Sequence, residues 1–248
     1  MILAAGEGRR LRPVTDHTPK ALVDVGGATA LERVAAALAA AGVDHLIVNA
    51  HHFADEVERA ALELVRPGLR VTVSREDHES ASALETGGAL AFARERFDGN
   101  APFFLHNADV LTDLDLAAVY DSHVRGVIDD GRLATLVVTR RETTRPLRAD
   151  ELGIYGRANR TEGWDVAYRQ PVGPTLEVGF SGIHVLSPGI LRHFTAGGAY
   201  SIIDVYMRLV AAGDVIACYD ATDSSWYDIG TPDRLADARA VFQEEASE

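Results

Sequence analysis

The sequence predicts an α/β fold, a Rossmann-like, doubly wound and mainly parallel sheet with an added antiparallel lobe. Three observations predict it. Short apolar, strand-like runs alternate with helix-patterned segments over most of the 248 residues. The run Pro102–His106 is short and apolar, the kind expected at the centre of a parallel sheet. Between Gly153 and Leu186 the alternation gives way to strand composition broken by turn residues at Arg160–Gly163 and Pro171–Pro174, which reads as antiparallel hairpins. A chain of this length with 47% hydrophobic residues can bury one sizeable core. Residues 1–248 therefore read as one domain, with a substrate lobe inserted at about 140–186.

The elements follow in order. Ile2–Ala4 reads as the end of a first strand, short enough that the native start is expected a few residues upstream. Thr29-Ala30-Leu31-Glu32 is a capping box opening a helix with Leu31, Val34 and Leu38 at helical spacing and Gly42 as its left-handed stop. His45–Asn49 is the next strand. Ala54 to Val65 is a helix with Val57, Ala61 and Leu64 on one face, ending before Pro67-Gly68. Leu69–Ser74 is a strand, and the polar run Arg75–Ala83 is a loop leading to a helix from Glu85 to about Arg96. After Pro102–His106, a helix near Asp113–Val124 and a strand over Leu133–Thr139 continue the alternation. Arg140–Leu152 is charged and irregular, as a mobile flap would be. Helices near Pro188–Thr195 and Ile202–Ala212 follow, then a strand over Val215–Tyr219. Thr231-Pro232-Asp233 opens a last amphipathic helix, with threonine as N-cap and proline at the first position.

Composition excludes several classes of function. A net charge of −13 argues against a nucleic-acid surface, which needs a basic face. No run reaches the roughly 18 apolar residues of a membrane span. The amino terminus also lacks a basic region followed by a cleavable apolar segment. The expectation is a cytoplasmic protein with neither membrane nor nucleic-acid partners. The single cysteine, Cys218, excludes an internal disulfide and reads as a core residue. Of the 24 basic residues only Lys20 is lysine. A lysine surviving so thorough a drift to arginine marks a place where a compact ammonium and a planar guanidinium are not exchangeable.

Lys20 closes the most informative segment, Leu3-Ala4-Ala5-Gly6-Glu7-Gly8-Arg9-Arg10-Leu11-Arg12-Pro13, followed by Thr18-Pro19-Lys20. Small residues leaving a strand let backbone N–H groups approach an anion, and the cations surround it. The alternative is a tight glycine turn with solvated arginines. The segment lacks the third glycine of a dinucleotide fingerprint and the G-K-S/T of a Walker loop. Asp109 stands just past the end of the central strand, where open α/β sheets place ligands, and a carboxylate there suits magnesium. Asp228 would have to converge on it from far along the chain. Taken singly, each aspartate could equally cap a helix or turn.

The stretch from Leu3 to Val25 resembles the signature of the sugar-1-phosphate nucleotidyltransferases, L-A-A-G-x-G-x-R-L-x-P-x-T followed by P-K. The resemblance continues through Leu84-Glu85-Thr86-Gly87-Gly88, Asn107-Ala108-Asp109-Val110, Phe180-Ser181-Gly182-Ile183 and Trp226-Tyr227-Asp228-Ile229-Gly230-Thr231. It implies the nucleotide-diphospho-sugar transferase type of fold. It also implies catalytic roles for Arg10 and Lys20 at the phosphates, and nucleotide contacts from Leu3, Ala4, Ala5, Gly6, Gly8, Glu85, Thr86, Gly87 and Gly88. Asp109 and Asp228 would hold Mg2+, and Asn107, Gly153, Glu177 and Ser181 would face the sugar phosphate. The partners implied are a nucleoside triphosphate and a sugar 1-phosphate.

One departure stands out. Many members carry a glutamate-lysine-proline triplet in the substrate lobe, and here the nearest segment is Arg169-Gln170-Pro171. Either Arg169 supplies the missing charge or the site differs. The length, without a hexapeptide-repeat extension, together with L-E-T-G-G-A-L and F-S-G-I-H-V-L, looks most like the N-acetylmuramate-1-phosphate uridylyltransferases of cell-wall recycling, which use UTP. Mannose-1-phosphate guanylyltransferases, which make GDP-mannose from GTP, are the alternative. A reading of another class is a catalytically silent nucleotide-sugar sensor, against which the intact Arg10, Lys20, Asp109 and Asp228 argue. The sequence leaves the oligomeric state open. His51-His52 lack ligand spacing with acidic or cysteine partners and read as solvated or capping residues.

Overall fold

The structure, a computed structural model, describes residues 1–76 and 82–245. Most of the loop expected at Arg75–Ala83 falls on residues 77–81, outside the described residues. The first half of the chain forms β1 (Ile2–Leu3), α1 (Ala30–Ala40), β2 (His45–Ala50), α2 (Ala54–Glu63), β3 (Arg70–Arg75), α3 (Glu85–Phe92), β4 (Phe103–Asn107), β5 (Val110–Thr112) and α4 (Leu116–Asp130). The second half forms β6 (Ala134–Thr139), β7 (Leu147–Asp150), β8 (Gly153–Asn159), β9 (Trp164–Ala167), β10 (Leu176–Leu186), α5 (Ile202–Ala212), β11 (Ile216–Asp220), β12 (Trp226–Asp228) and α6 (Pro232–Glu245).

Strands β3, β2, β1 and β4 lie side by side and parallel. β10 runs antiparallel between β4 and β6, and β11 pairs parallel with β6. Across this main sheet β10 is the one reversed strand among those described, so the mainly parallel expectation holds. The outer residues of β10, Leu176–Val178, leave the sheet to pair with β7, and β7, β8 and β9 continue as an antiparallel meander. That meander is the predicted lobe. Leu31, Val57, Val119 and Leu235, from α1, α2, α4 and α6, pack into the core on one face of the main sheet. Leu90, Val205 and Leu209, from α3 and α5, pack into that on the other. The doubly wound reading is therefore met, because central strands buried on both faces need helices on both sides. Among the described residues no helix is long and apolar enough to cross a membrane.

Local signals explain most of the boundaries. Both halves of the capping box at α1 form, with the Thr29 N–H donating to Glu32 at 2.7 Å and the Glu32 N–H to the Thr29 hydroxyl at 3.2 Å. Gly42 sits at φ 90°, past the end of that helix. Pro232 opens α6 as expected.

Three expectations need correction, and one pairing was not expected at all. Arg140–Leu152 is not an irregular flap, because Leu147–Asp150 is a strand with Leu147 and Ala149 buried in the core. Four residues containing a charged side chain are too few for a period-2 signal to emerge. The helix from Glu85 stops at Phe92, and the tighter turn Arg94–Arg96 follows. Pro188–Thr195 is a 3-10 segment over Pro188–His193 rather than an α-helix. Finally, β5 and β12 form a two-stranded sheet of their own, which the sequence pattern did not announce.

Candidate active site

The carboxyl ends of β1, β2, β3 and β4 open onto one cleft of about 420 Å³. Its wall carries Leu3, Ala4, Ala5, Gly6, Gly8, Arg10, Lys20, Glu85, Thr86, Asn107 and Asp109 from the sequence-derived set. The loop after β1 is anchored from below. The Ala4 N–H donates to Asn49 Oδ1 at 2.6 Å, and Asn49 Nδ2 donates to Glu76 Oε1 at 2.7 Å. The other Glu76 oxygen accepts the Leu84 N–H at 3.2 Å. Glu76 is fully buried, and burial pushes its carboxyl above the ordinary range, against the hydrogen bonds from Asn49 and Leu84. One buried chain of hydrogen bonds thus fixes the glycine loop relative to the start of α3.

Beyond Ala5 the loop is shaped by two different glycines. Gly8 adopts φ 65°, and a Cβ there would lie 2.8 Å from Thr15 Cγ2, so only glycine fits the turn. The Thr15 hydroxyl donates to the Gly8 carbonyl at 2.8 Å and holds it. A Cβ on Gly6 would meet no protein atom within 4 Å. Packing therefore does not require glycine at that position, and its exposed backbone faces open space. The arginines divide: Arg9 pairs with Glu7 and Arg12 with Asp16, while Arg10 has no ion-pair partner among the described residues.

The distant carboxylates meet through β5 and β12. Their antiparallel register sets Asp228 opposite Val110, and the Ile229 N–H donates to the Asp109 carbonyl at 3.0 Å. Lys20 donates to Asp109 Oδ2, and its Nζ lies 4.0 Å from Asp228 Oδ1. The Gly230 N–H donates to Asp228 Oδ1 at 2.8 Å, and Arg234 Nη1 pairs with Asp228 Oδ2 at 2.7 Å. A Cβ on Gly230 would lie 2.7 Å from Asp228 Oδ1, 3.0 Å from Arg10 Nη2 and 3.3 Å from Lys20 Nζ. Glycine at that point is what lets Arg10, Lys20 and Asp228 converge.

The remaining predicted residues separate. Glu85 lines the cleft at φ 56°, a left-handed conformation unusual for a residue with a side chain. Gly87 and Gly88 do not line it. A Cβ on Gly87 would lie 2.5 Å from the Tyr200 ring, and one on Gly88 would lie 2.5 Å from the Gly198 carbonyl. These two glycines serve the close packing of α3 against the segment before α5. Ser181 is buried and does not line the cleft, and a Cβ on its neighbour Gly182 would lie 2.8 Å from Asn107 Nδ2. Gly153, at φ 113°, packs against the Ile216 carbonyl at the edge of β8. Glu177 lies on the lobe, paired with Arg160 and 3.5 Å from Arg148. The structure does not bring Gly153 or Glu177 to the cleft.

Several participants escaped the sequence reading. Asn49 and Glu76 act through one another, and only a polar residue ending an otherwise apolar strand hinted at the first. Arg234 had no signal beyond its nearness to Asp228. Arg141 stacks over Trp226 at 4.0 Å and donates to Thr139, Gly179, Phe180 and Ser181. Arg169 is committed elsewhere, as a two-pronged partner of Asp150 at 2.5 and 2.7 Å.

Comparison with known proteins decides what this cleft belongs to. The nucleotidyl transferase family pattern matches residues 1–245. An N-acetylmuramate alpha-1-phosphate uridylyltransferase of Caulobacter vibrioides is 31% identical over 245 residues, covering 98% of this chain and 96% of its own. The chain belongs to the sugar-1-phosphate nucleotidyltransferases. The transferase is also 30% identical over 237 residues to the mannose-1-phosphate guanylyltransferase catalytic subunit beta of Xenopus tropicalis, of which it spans 61%. In three dimensions it matches a UDP-glucose pyrophosphorylase from Acinetobacter baumanii with a TM-score of 0.78 at 16% identity, covering 98% of this chain and 92% of that one. An inositol-1-phosphate CTP transferase from T. maritima matches with a TM-score of 0.72 at 17% identity, over 98% and 95% of the two chains. These likenesses establish the fold.

Proposed function

We propose that the transferase moves UMP from UTP to N-acetylmuramate 1-phosphate, releasing pyrophosphate and giving UDP-N-acetylmuramate. One observation carries the choice among sugars. The Caulobacter relative bearing that name is 31% identical over 245 residues, and a second of the same name, from Neisseria meningitidis, is 38% identical over 122 residues.

In this reading the sugar phosphate oxygen attacks the α-phosphorus and pyrophosphate leaves in line, with no covalent enzyme intermediate. The nucleophile is already anionic. The protein's task is therefore to align two negative groups and neutralise the charge between them. The open backbone at Gly6, the turn at Gly8 and the side chain of Arg10 grip the triphosphate. Lys20 meets the charge of the reacting phosphates. Glu85 and Thr86 face the base, and Asn107 faces the sugar side.

The donor set suits magnesium. Asp109 and Asp228 converge on one cation, the Lys20 ammonium, and among the described residues no third acidic, histidine or cysteine ligand joins them. Magnesium is commonly bound through one or two carboxylates together with substrate phosphates, and here it would supply positive charge to those phosphates. Asp109 and Asp228 would hold it, and Lys20 would then be released toward the phosphates.

The test is pyrophosphate release measured for UTP and GTP, each with N-acetylmuramate 1-phosphate and mannose 1-phosphate, in the presence of magnesium. UTP with N-acetylmuramate 1-phosphate is expected to give the highest kcat/KM. Turnover with GTP and mannose 1-phosphate alone would reverse the assignment. Asp109→Asn with wild-type turnover would remove the metal role.

A further inference from the structure

The acceptor in the proposed reaction carries a phosphate, yet the lobe's segment Arg169-Gln170-Pro171 offers it no free cation. Gln170 is neutral and exposed. Arg169 is bound to Asp150, whose side chain is fully buried, and is further tied to the Gly153 and Ile154 carbonyls. A guanidinium already neutralised by a carboxylate has little to offer a second anion.

Arg141 differs in each respect. It follows the end of β6, on the same edge of the sheet as Asp109, and its side chain is half-buried. Its guanidinium stacks 4.0 Å over Trp226, two residues before Asp228. Every hydrogen-bond partner it has is neutral: the Thr139 hydroxyl at 2.6 Å, the Gly179 carbonyl at 3.3 Å, the Ser181 hydroxyl at 3.3 Å and the Phe180 carbonyl. Its Nε has no acceptor, and no carboxylate lies within ion-pair distance, among the described residues. Burial lowers its affinity for the proton, partly countered by the negative charge of Asp228. A desolvated cation without a counter-ion is costly, and an incoming anion would offset that cost.

The surroundings hold this guanidinium in place. A Cβ on Gly179 would lie 2.9 Å from Arg141 Cγ and Cζ, so glycine there is what lets the side chain lie across β10. Beside it opens a hollow of about 510 Å³ carrying Thr143, Thr144, Arg160 and Glu177. That is room enough for a sugar, within the usual size of small-ligand sites. The other two arginines there are paired, Arg140 with Asp220 and Arg160 with Glu177.

We propose that Arg141 is the cation that binds the phosphate of the acceptor sugar 1-phosphate, with the sugar itself in the adjoining hollow of the lobe. The assignment rests on the proposed reaction. It explains how the chain dispenses with a lysine at Gln170. The phosphate is gripped by a residue that lines this hollow and is fixed in advance, rather than by residue 169 or 170.

Steady-state pyrophosphate release by the wild type, Arg141→Gln and Gly179→Ala tests it, with nucleotide affinity read separately from heat stabilisation by UTP or GTP. Loss of a charge-assisted contact is expected to raise KM for the sugar 1-phosphate by about tenfold to a hundredfold. Nucleotide affinity should stay unchanged in both variants. Gly179→Ala should show the same pattern with the arginine still present, because its added methyl displaces the guanidinium. Arg141→Lys should recover part of the loss. A folded Arg141→Gln protein with an unaltered KM for the sugar 1-phosphate overturns the assignment while leaving the reaction intact. So does a loss falling equally on nucleotide affinity. A wild type that turns over no sugar 1-phosphate refutes the reaction, and this assignment with it.

Discussion

Lys20→Arg keeps the charge of the chain's only lysine and changes its shape. The Lys20 side chain is 13% exposed and sits between Asp109 and Asp228, themselves 25% and 16% exposed. Space for a larger head group is set by Gly230, where even a methyl would come within 3.3 Å of the Lys20 ammonium and 3.0 Å of Arg10. A guanidinium brings a planar fork into the volume of one nitrogen, so it must leave Asp109 or displace Arg10. Removing one preorganised donor from a reacting phosphate is worth roughly a hundredfold to a thousandfold in kcat, or about 3 to 4 kcal/mol of barrier. Lys20→Arg and Lys20→Ala are therefore both expected to lose activity on that scale, with pyrophosphate release as the assay. Urea unfolding of the arginine variant should show a folded protein destabilised by no more than about 1 to 3 kcal/mol, the usual cost of overpacking, so that the loss of turnover is read at the site. Wild-type kcat in Lys20→Arg would refute the argument from shape. Wild-type kcat in Lys20→Ala would refute a role for the ammonium altogether.

Three further outcomes follow from the buried polar contacts. Asn49→Ala strips a partner from the Ala4 N–H and from Glu76, and unsatisfied buried groups cost about 1 to 3 kcal/mol each. Urea unfolding should register that loss, and an unchanged midpoint would mean that the loop is anchored otherwise. Asp150→Ala leaves Arg169 and the Val172 and Leu152 amides without their acceptor, and breaking a buried pair of this kind costs about 3 to 5 kcal/mol. Stability close to wild type would show the pair to be dispensable. His123 bridges the hydroxyls of Thr135 and Ser187 at 2.9 and 3.0 Å, and burial lowers its pKa from 6.5 to about 4. The folded state therefore holds the ring neutral. Its contribution is full above pH 6.5 and drains away as pH falls toward 4, to a limit of about 3 kcal/mol. His123→Gln should flatten the stability profile across that window, and an unaltered slope would place the titration on other groups.

The sequence made the fold legible wherever burial has a period. Central strands such as β2 and β4 and the capped helix α1 carry their own signals, because each buries a repeating face or closes its own end. Strand β7 has neither, and its place is set by partners on β8 and β10 that lie beyond the reach of local pattern. The site divides in the same way. Residues 3–20 could be read directly, since a strand end, a positive-φ glycine and a lone lysine are local facts. Gly87 and Gly88 could not, because a glycine serving Tyr200 looks the same in sequence as a glycine serving a ligand. Arg141 stayed invisible among 23 arginines until its neutral partners could be seen, and Arg169 looked available until Asp150 was found against it.

What joins these local and distant parts is the smaller of the two sheets among the described residues. Three register pairs between β5 and β12 set Asp228 beside Asp109. The Gly230 amide and Arg234 then fix the direction of its carboxylate. Trp226, at the start of the same short strand, donates its indole N–H to the Ser181 carbonyl at 2.9 Å and carries Arg141 on its face. The strand thus presents its acidic end to Lys20 and its aromatic end to the lobe. In the proposed reaction these are the two ends of the bond being made, the nucleotide phosphates on one side and the acceptor phosphate on the other. Bringing segments this far apart in sequence together costs loop-closure entropy, which the core burial of Val110, Leu111 and Ile229 offsets along with the hydrogen bonds. Placing both reactive poles on one strand fixes the distance between them, so that alignment of the two substrates is built into a single element rather than into two that could drift apart.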